Sequence, residues 1–199
     1  MRKIITSLLL FVCIHICAQE KPSSLLYLRG GFTGFVSWIP QDNVVLSPCF
    51  TLAPGFRLIQ GDDIAVTLTS PLSLGASFKN MDHTFLALDL PAMLELHFGS
   101  ATGNAVNPKG GFMIGAGVAY HHAGRYEYDY FGGLTDYEEV SFWGYRGTFG
   151  ISFAKKPDGT ASLLTFSFGK AFNGSSKSLA SIGISMILGN RKEKTAPQK

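Results

Sequence analysis

Charge is scarce in this chain. Lys, Arg, Asp and Glu together make up 16% of its 199 residues, against roughly 25% in ordinary soluble domains. Long apolar runs are missing too. Beyond the N-terminal stretch nothing approaches the ~20 consecutive apolar residues of a membrane-spanning helix. Cysteine is limited to positions 13, 17 and 49. No Cys/His cluster has zinc spacing, no glycine-rich loop has the form that cradles phosphate, and no calcium-loop pattern occurs. The chain therefore offers no cofactor or metal site that its sequence can reveal. A basic face for nucleic acid is lacking as well. The formal net charge of +3 sits at the two ends, in Arg2 and Lys3 and in residues 191–199 with four cations against one anion. Without those ends the body is slightly acidic, which argues against nucleic-acid binding.

What is present begins with a targeting signal. Arg2 and Lys3 are followed by an apolar stretch over 4–16 and by Ala18. This order reads as a secretory signal peptide over residues 1–18, with Gln19 opening the mature chain. Val12 and Ile16 precede Cys13 and Cys17, whereas a lipidated cysteine follows a small residue. Cleavage leaves Cys49 alone, so no intrachain disulfide is expected even though export would permit one. The thiol is expected to pack as a small hydrophobe.

The rest of the chain alternates. Ile64, Val66, Leu68, Leu72, Leu74 and Phe78 share one parity, with Ser70 and Ala76. Ala65, Thr67, Thr69, Pro71, Ser73, Gly75 and Ser77 share the other. Strict period-two alternation is a strand with two unlike faces. A water-facing side would carry Lys, Glu or Arg. Here it carries Thr, Ser and Gly, which suits a narrow interior, while the bulky side has no partner but lipid. The pattern recurs over approximately 25–38, 46–60, 64–80, 84–98, 111–130, 140–154, 160–172 and 179–188. The reading is an all-β, transmembrane, antiparallel up-and-down β-barrel of eight strands over residues 19–190, ending in a short basic periplasmic tail over 191–199. A secreted lipocalin-like barrel, with the apolar face turned inward around a ligand, is the alternative that alternation alone leaves open.

Connection lengths fit a chain that starts in the periplasm. Gln60-Gly61-Asp62-Asp63 is tight, and the longest excursion, over 123–139, falls outside. The segment 99–109 is long for a periplasmic turn. Pro48, Pro54, Pro71 and Pro91 fall inside strands, where each removes a ladder hydrogen bond.

Parity places Arg29, Arg57, Asp89, Glu95, His97 and Arg146 on the inner side. An eight-stranded barrel is just wide enough for side chains to fill, and buried charges need partners. These six residues are expected to form an interior polar network that plugs the lumen, with a narrow ion path as the competing reading. Lys170 alone points to lipid, near the outer end of its strand, where it can snorkel. Outside, Tyr126, Glu127, Tyr128, Asp129 and Tyr130, with Asp136 and Tyr137, set tyrosines beside carboxylates. That makes them a candidate recognition surface, or a solvated rim that keeps an exposed hairpin soluble.

With these features the chain resembles the small eight-stranded outer-membrane barrels of Gram-negative bacteria, of the OmpA and OmpX kind. The sharpest element of the resemblance is the last strand, where Ser181, Gly183, Met186 and Leu188 fit the spacing of the family's assembly signal. The chain departs from that pattern in ending the strand on Leu188, not on an aromatic residue. The resemblance implies a non-catalytic, porin-like cell-envelope protein with a structural or surface-interaction role. Its implied partners are outer-membrane lipid and lipopolysaccharide, the outer-membrane assembly machinery and an extracellular or host protein. Some such barrels modify lipid A with a histidine and nearby serine and acidic groups. His83, His121, His122, Ser141 and Glu139 lie near the outer rim, but His121-His122-Ala123-Gly124 lacks the His-x-Ser-Asn-like run of the deacylases. No catalytic residue is therefore assigned.

Overall fold

The computed structural model describes residues 26–39, 43–61, 63–79, 83–102, 110–128, 134–153 and 161–188. The segments read above as a signal peptide (1–18) and a basic tail (191–199) lie outside them. Nine strands, β1 (Leu26–Ile39), β2 (Asn43–Gln60), β3 (Ile64–Thr69), β4 (Leu72–Lys79), β5 (His83–Gly99), β6 (Gly110–Tyr128), β7 (Leu134–Phe153), β8 (Ala161–Ala171) and β9 (Ser178–Leu188), make one sheet. β3 and β4 are two halves of a single stave between β2 and β5. The ring therefore has eight staves, each antiparallel to its neighbours. It closes where β1 pairs β9, from Leu28 opposite Leu188 to Trp38 opposite Ser178. A closed ring has no edge strand, so backbone polar groups pair without water.

Facing follows parity. Along β5, Ala87, Asp89, Pro91, Met93, Glu95 and His97 are buried, while Leu86, Leu90 and Leu94 are exposed. The exposed set includes Phe32 (72%), Phe168 (70%) and Ile184 (65%). Leu, Ile and Phe cover the outside and Ser, Thr and Gly line much of the inside, the reverse of a lipocalin-like barrel. An exposed apolar surface this continuous requires a non-aqueous neighbour. Glycine permits the closing seam. At Gly31 a Cβ would stand 2.0 Å from the Ile184 carbonyl oxygen and 2.5 Å from Ser185 Cα, so any side chain would push β1 away from β9.

The in-strand prolines are accommodated by local lapses of the ladder. On the register of Thr69 with Met93 and Ser73 with Asp89, Pro71 stands opposite Pro91, and neither has an N–H to give. The stave breaks there. The Leu72 N–H turns back to the Ser70 carbonyl at 2.8 Å, and the Ser70 hydroxyl donates to the Pro91 carbonyl at 2.7 Å. The Ser70 N–H donates to the Pro54 carbonyl at 2.9 Å, so Pro54 still accepts where it cannot donate. Pro48 lies between the Leu46–Phe78 and Cys49–Gly75 pairs, where the β2–β4 ladder lapses.

Two further features differ from the alternation pattern. β7 begins at Leu134, earlier than residue 140, and pairs with β6 up to Tyr128 opposite Leu134. β5 accompanies β6 only to Ala123, and β8 accompanies β7 only from Gly144. The outer ends of β6 and β7 therefore form a two-stranded ribbon that rises beyond the ring. At the opposite end, the long connection after β5 does not simply turn. Gly99 takes a left-handed φ of 58°, and Ser100–Thr102 form a single 3-10 turn whose three residues are completely buried in the lumen.

Candidate functional site: the lumen and the outer rim

Inward side chains stack in levels along the barrel. At the end opposite the β6–β7 ribbon the 3-10 turn brings Ala101 into an apolar cluster with Met113, Ala161, Leu163 and Ile187. Ser100 Oγ meets Ser152 Oγ at 2.5 Å, and Arg57 Nη2 donates to the Thr102 carbonyl at 3.3 Å. Arg57 is thus tied to the 3-10 turn.

Above it, Arg29 reaches Glu95 through a two-pronged contact, Nη2–Oε1 at 3.0 Å and Nη1–Oε2 at 3.4 Å. Its Nη1 also points at Met113 Sδ, 3.0 Å away. His97 Nε2 lies 3.2 Å from Glu95 Oε2 and 2.8 Å from Thr67 Oγ1. Glu95, His97 and Thr67 have no exposed surface. The guanidinium's fork matches the carboxylate's two oxygens, and the histidine and threonine complete the cluster.

A cavity of about 50 Å³ follows. Its hydroxyl-rich wall includes Thr33, Thr51, Ser73, Thr165, Ser167 and Ser181, and the two ion clusters bound it at either end. Arg146 Nε and Ser185 Oγ have no protein partner; both residues line this space. At ~10–15 Å³ per site it has room for a few waters.

The second ion cluster closes the cavity on the outer side. Asp89 Oδ1 accepts from Arg146 Nη2 at 2.5 Å and lies 3.1 Å from His121 Nδ1. His121 Nε2 sits 2.8 Å from Ser37 Oγ, on the stave across the ring. Phe35 and Phe142 flank the imidazole, with ring centres 5.6 and 5.7 Å away. These two rings join Val45, Cys49, Val140 and Leu179 in an apolar stopper at the outer end of the lumen.

Asp89, His121 and Ser37 have the connectivity of an acid–base–nucleophile relay. Three observations weigh against catalysis by this trio. Ser37 has no exposed surface, neither Ser37 nor His121 lines the cavity, and Arg146 already compensates the Asp89 charge. The trio ties β1, β5 and β6 together across the lumen.

The sequence reading placed Arg29, Asp89, Glu95, His97 and Arg146 inside, and the structure divides them into two separate clusters. It had set His121 at the rim beside His122. In β6 these neighbours face opposite ways: His121 points inward and is buried, while His122 is half-buried with Nδ1 2.7 Å from Ser141 Oγ. The inward parity of Met113, Ala119 and Ala123 was the available signal. Of the rim set, His122 and Ser141 meet, and the side chains of His83 and Glu139 lie outside the described residues. Among the described residues, no group of His, Cys, Asp and Glu can hold a metal ion.

On the outside, Tyr120 and Trp143 are cross-strand partners with ring centres 5.3 Å apart, and Tyr145 meets Phe172 edge-on at 4.5 Å. These aromatics form a belt at the outer ends of β6, β7 and β8. Tyr126, Glu127, Tyr128, Asp136 and Tyr137 lie on the projecting ribbon, with Tyr126 opposite Tyr137 and Glu127 opposite Asp136. Their side chains, and all of Asp129 and Tyr130, lie outside the described residues. In β9, Ser181, Gly183, Met186 and Leu188 face Phe35, Thr33, Gly30 and Leu28 of β1 across the seam.

No protein-family model matches the chain, and no curated protein matches it. Solved structures do. Neisserial surface protein A superposes with a TM-score of 0.56 at 11% identity, covering 84% of this chain and 98% of that one. Ail, the attachment invasion locus protein of Yersinia pestis, solved with the heparin analogue sucrose octasulfate, gives 0.54 at 11% identity, covering 81% and 95%. At such identities the likeness is one of fold. It defines the class: an eight-stranded antiparallel barrel of the outer-membrane type. Within that class the chain resembles the small members, since it spans nearly the whole of both neighbours.

Proposed function

We propose that this chain is a non-catalytic outer-membrane barrel protein with a side-chain-plugged lumen and a structural or surface-interaction role. The observation that carries the reading is the combination of an apolar exterior with inward apolar and ion-paired side-chain clusters at several heights of the lumen. The exterior suits hydrocarbon. The two apolar clusters, the two ion clusters and a cavity of only about 50 Å³ favour a plug over an ion path. Export by a cleaved signal over residues 1–18 and insertion in the outer membrane of a Gram-negative bacterium belong to this proposal. So does reading of Ser181, Gly183, Met186 and Leu188 by the assembly machinery. Planar-bilayer recordings test the plug: silence or rare, brief openings are expected, and a large stable conductance would overturn it.

A surface-interaction role is favoured by the β6–β7 ribbon, whose outer residues, among the described residues, pair with one another. A paired ribbon presents tyrosines and carboxylates at a fixed height above the ring, which suits capture of an extracellular protein. Deleting residues 132–137 should abolish binding of purified barrel to host matrix proteins and leave folding intact. Unchanged binding would exclude this ribbon.

A further inference from the structure

His121 is a buried histidine with both imidazole nitrogens engaged. Nδ1 lies 3.1 Å from Asp89 Oδ1, and Nε2 lies 2.8 Å from Ser37 Oγ. An ionised carboxylate only accepts, so Nδ1 carries the proton and Nε2 accepts from the Ser37 hydroxyl. In this state the imidazole is neutral. The Asp89 charge is matched by Arg146, whose Nη2 donates to the same Oδ1.

A second proton can enter only at Nε2, and it changes two things. The Ser37 hydroxyl, which has no exposed surface, must reverse from donor to acceptor and turn its hydrogen away from the imidazole. One carboxylate oxygen then faces two cations, so a neutral cluster becomes positive. Phe35 and Phe142 flank the imidazole, and the Phe35 ring already has the Arg146 guanidinium 5.8 Å from its centre. The rest of the outer stopper is apolar apart from the Cys49 thiol. Beyond it, Lys79, His83, Arg125 and Glu138 occupy the next inward register positions of β4, β5, β6 and β7. Below it, across the cavity, the Glu95 charge is taken by Arg29 and His97. An uncompensated buried charge is strongly disfavoured, and entering water relieves it.

We propose that His121 is a proton-operated latch on the outer stopper. Neutral, it ties β1 to β5 and β6 through Ser37 and Asp89. Protonated, it admits water to the outer part of the lumen, down to the Arg146–Asp89 pair. The Arg29–Glu95 cluster lies on the other side of the cavity and stays paired, so the barrel does not become a pore. The inference rests on the plugged-lumen reading and adds a condition under which one part of the plug opens. Histidine changes charge between about pH 5 and 8. A state that hydrates the extra proton gains population as pH falls, by up to about tenfold per pH unit for one coupled proton.

Cys49 reports the opening, because it is buried in the stopper and is the only cysteine from Gln19 onward. The mature chain in phospholipid nanodiscs is treated with a water-soluble, sulfonated methanethiosulfonate at about pH 7.5 and about pH 5, across histidine's ordinary range. Labelling is followed by mass spectrometry. Acid lowers the thiolate fraction of any cysteine, so faster labelling at the lower pH reports access and not reactivity. The reference is a cysteine introduced as Ser176→Cys, at an exposed turn position, in a Cys49→Ser background. Relative to it, the Cys49 rate should rise about tenfold or more. His121→Gln, which cannot take up the proton, should abolish the rise, whereas His83→Gln and His122→Gln should keep it. Should His121→Gln fail to fold, the His121 ring resonances of the parent decide: they should titrate with the midpoint of the labelling curve, and a different midpoint overturns the latch. Cys49 protected at both pH values, or a rise that persists in His121→Gln, would overturn the latch and leave the plug standing. Rapid labelling already at neutral pH would overturn the plug reading with it.

Discussion

Replacing Glu95 with glutamine keeps its shape and removes its charge, which isolates what the lower ion cluster contributes. In the native barrel the Arg29 guanidinium meets both carboxylate oxygens, at 3.0 and 3.4 Å, and His97 approaches one of them at 3.2 Å. Arg29 is 5% exposed and Glu95 is not exposed at all, so water replaces neither partner. Removing one member of a buried pair leaves the other charge uncompensated and costs about 3–5 kcal/mol. Against a typical native stability of about 5–15 kcal/mol this is a large loss. Urea titration in lipid vesicles, followed by heat-modifiable gel migration, measures it. Arg29→Met alone should cost a similar amount, since it strands Glu95. The double variant should cost less than the sum of the two by about 1–3 kcal/mol, because each change removes the other's orphan. Additive losses, or a Glu95→Gln variant as stable as the parent, would refute the claim that this pair holds the barrel across its lumen.

Other outcomes follow from the same geometry. Leu90→Arg, on the outward face near the middle of β5, should cost about 2–4 kcal/mol in vesicles, measured by the same titration; a neutral effect would place that surface away from hydrocarbon. Thr67→Ala removes the hydroxyl 2.8 Å from His97 and should cost about 1–3 kcal/mol, as expected where a buried polar group loses its partner. Gly31→Val should stop folded barrel from accumulating at all, read as loss of the compact gel species, because a Cβ there meets the β9 backbone. Ser37 should not react with a fluorophosphonate probe, since it has no exposed surface; labelling abolished by Ser37→Ala would reveal an opening and a reactive relay.

The staves and their facing were legible because each depends on one rule of parity, and residues such as Leu94 and Glu95 obey it one by one. Arg29, Asp89, Glu95 and Arg146 could be placed inside for that reason. Their pairing could not be read, because it depends on height in the barrel, which shifts with every bulge and strand end. Asp89, His121 and Arg146 come from three neighbouring strands, and Asp89 meets His121 as a direct cross-strand partner only in the one register that β5 and β6 adopt. His121 was further obscured by His122, since two adjacent histidines look like one feature until parity separates them. The prolines looked like a conflict with a closed sheet. Pro71 and Pro91 resolve it by standing opposite each other, so two missing donors cost one lapse of the ladder. The inward fold of Ser100–Thr102 left no periodic trace, only an overlong connection.

The medium around the outer face is the point on which the rest depends. A nitroxide placed at position 90 in a Cys49→Ser background, with the barrel in phospholipid vesicles, reports that medium directly. Strong relaxation by oxygen and almost none by a water-soluble nickel complex is expected there, with both reagents excluded from a label at position 67. Free access of the nickel complex to position 90 would mean that water covers the leucine and phenylalanine surface, and would contradict the account.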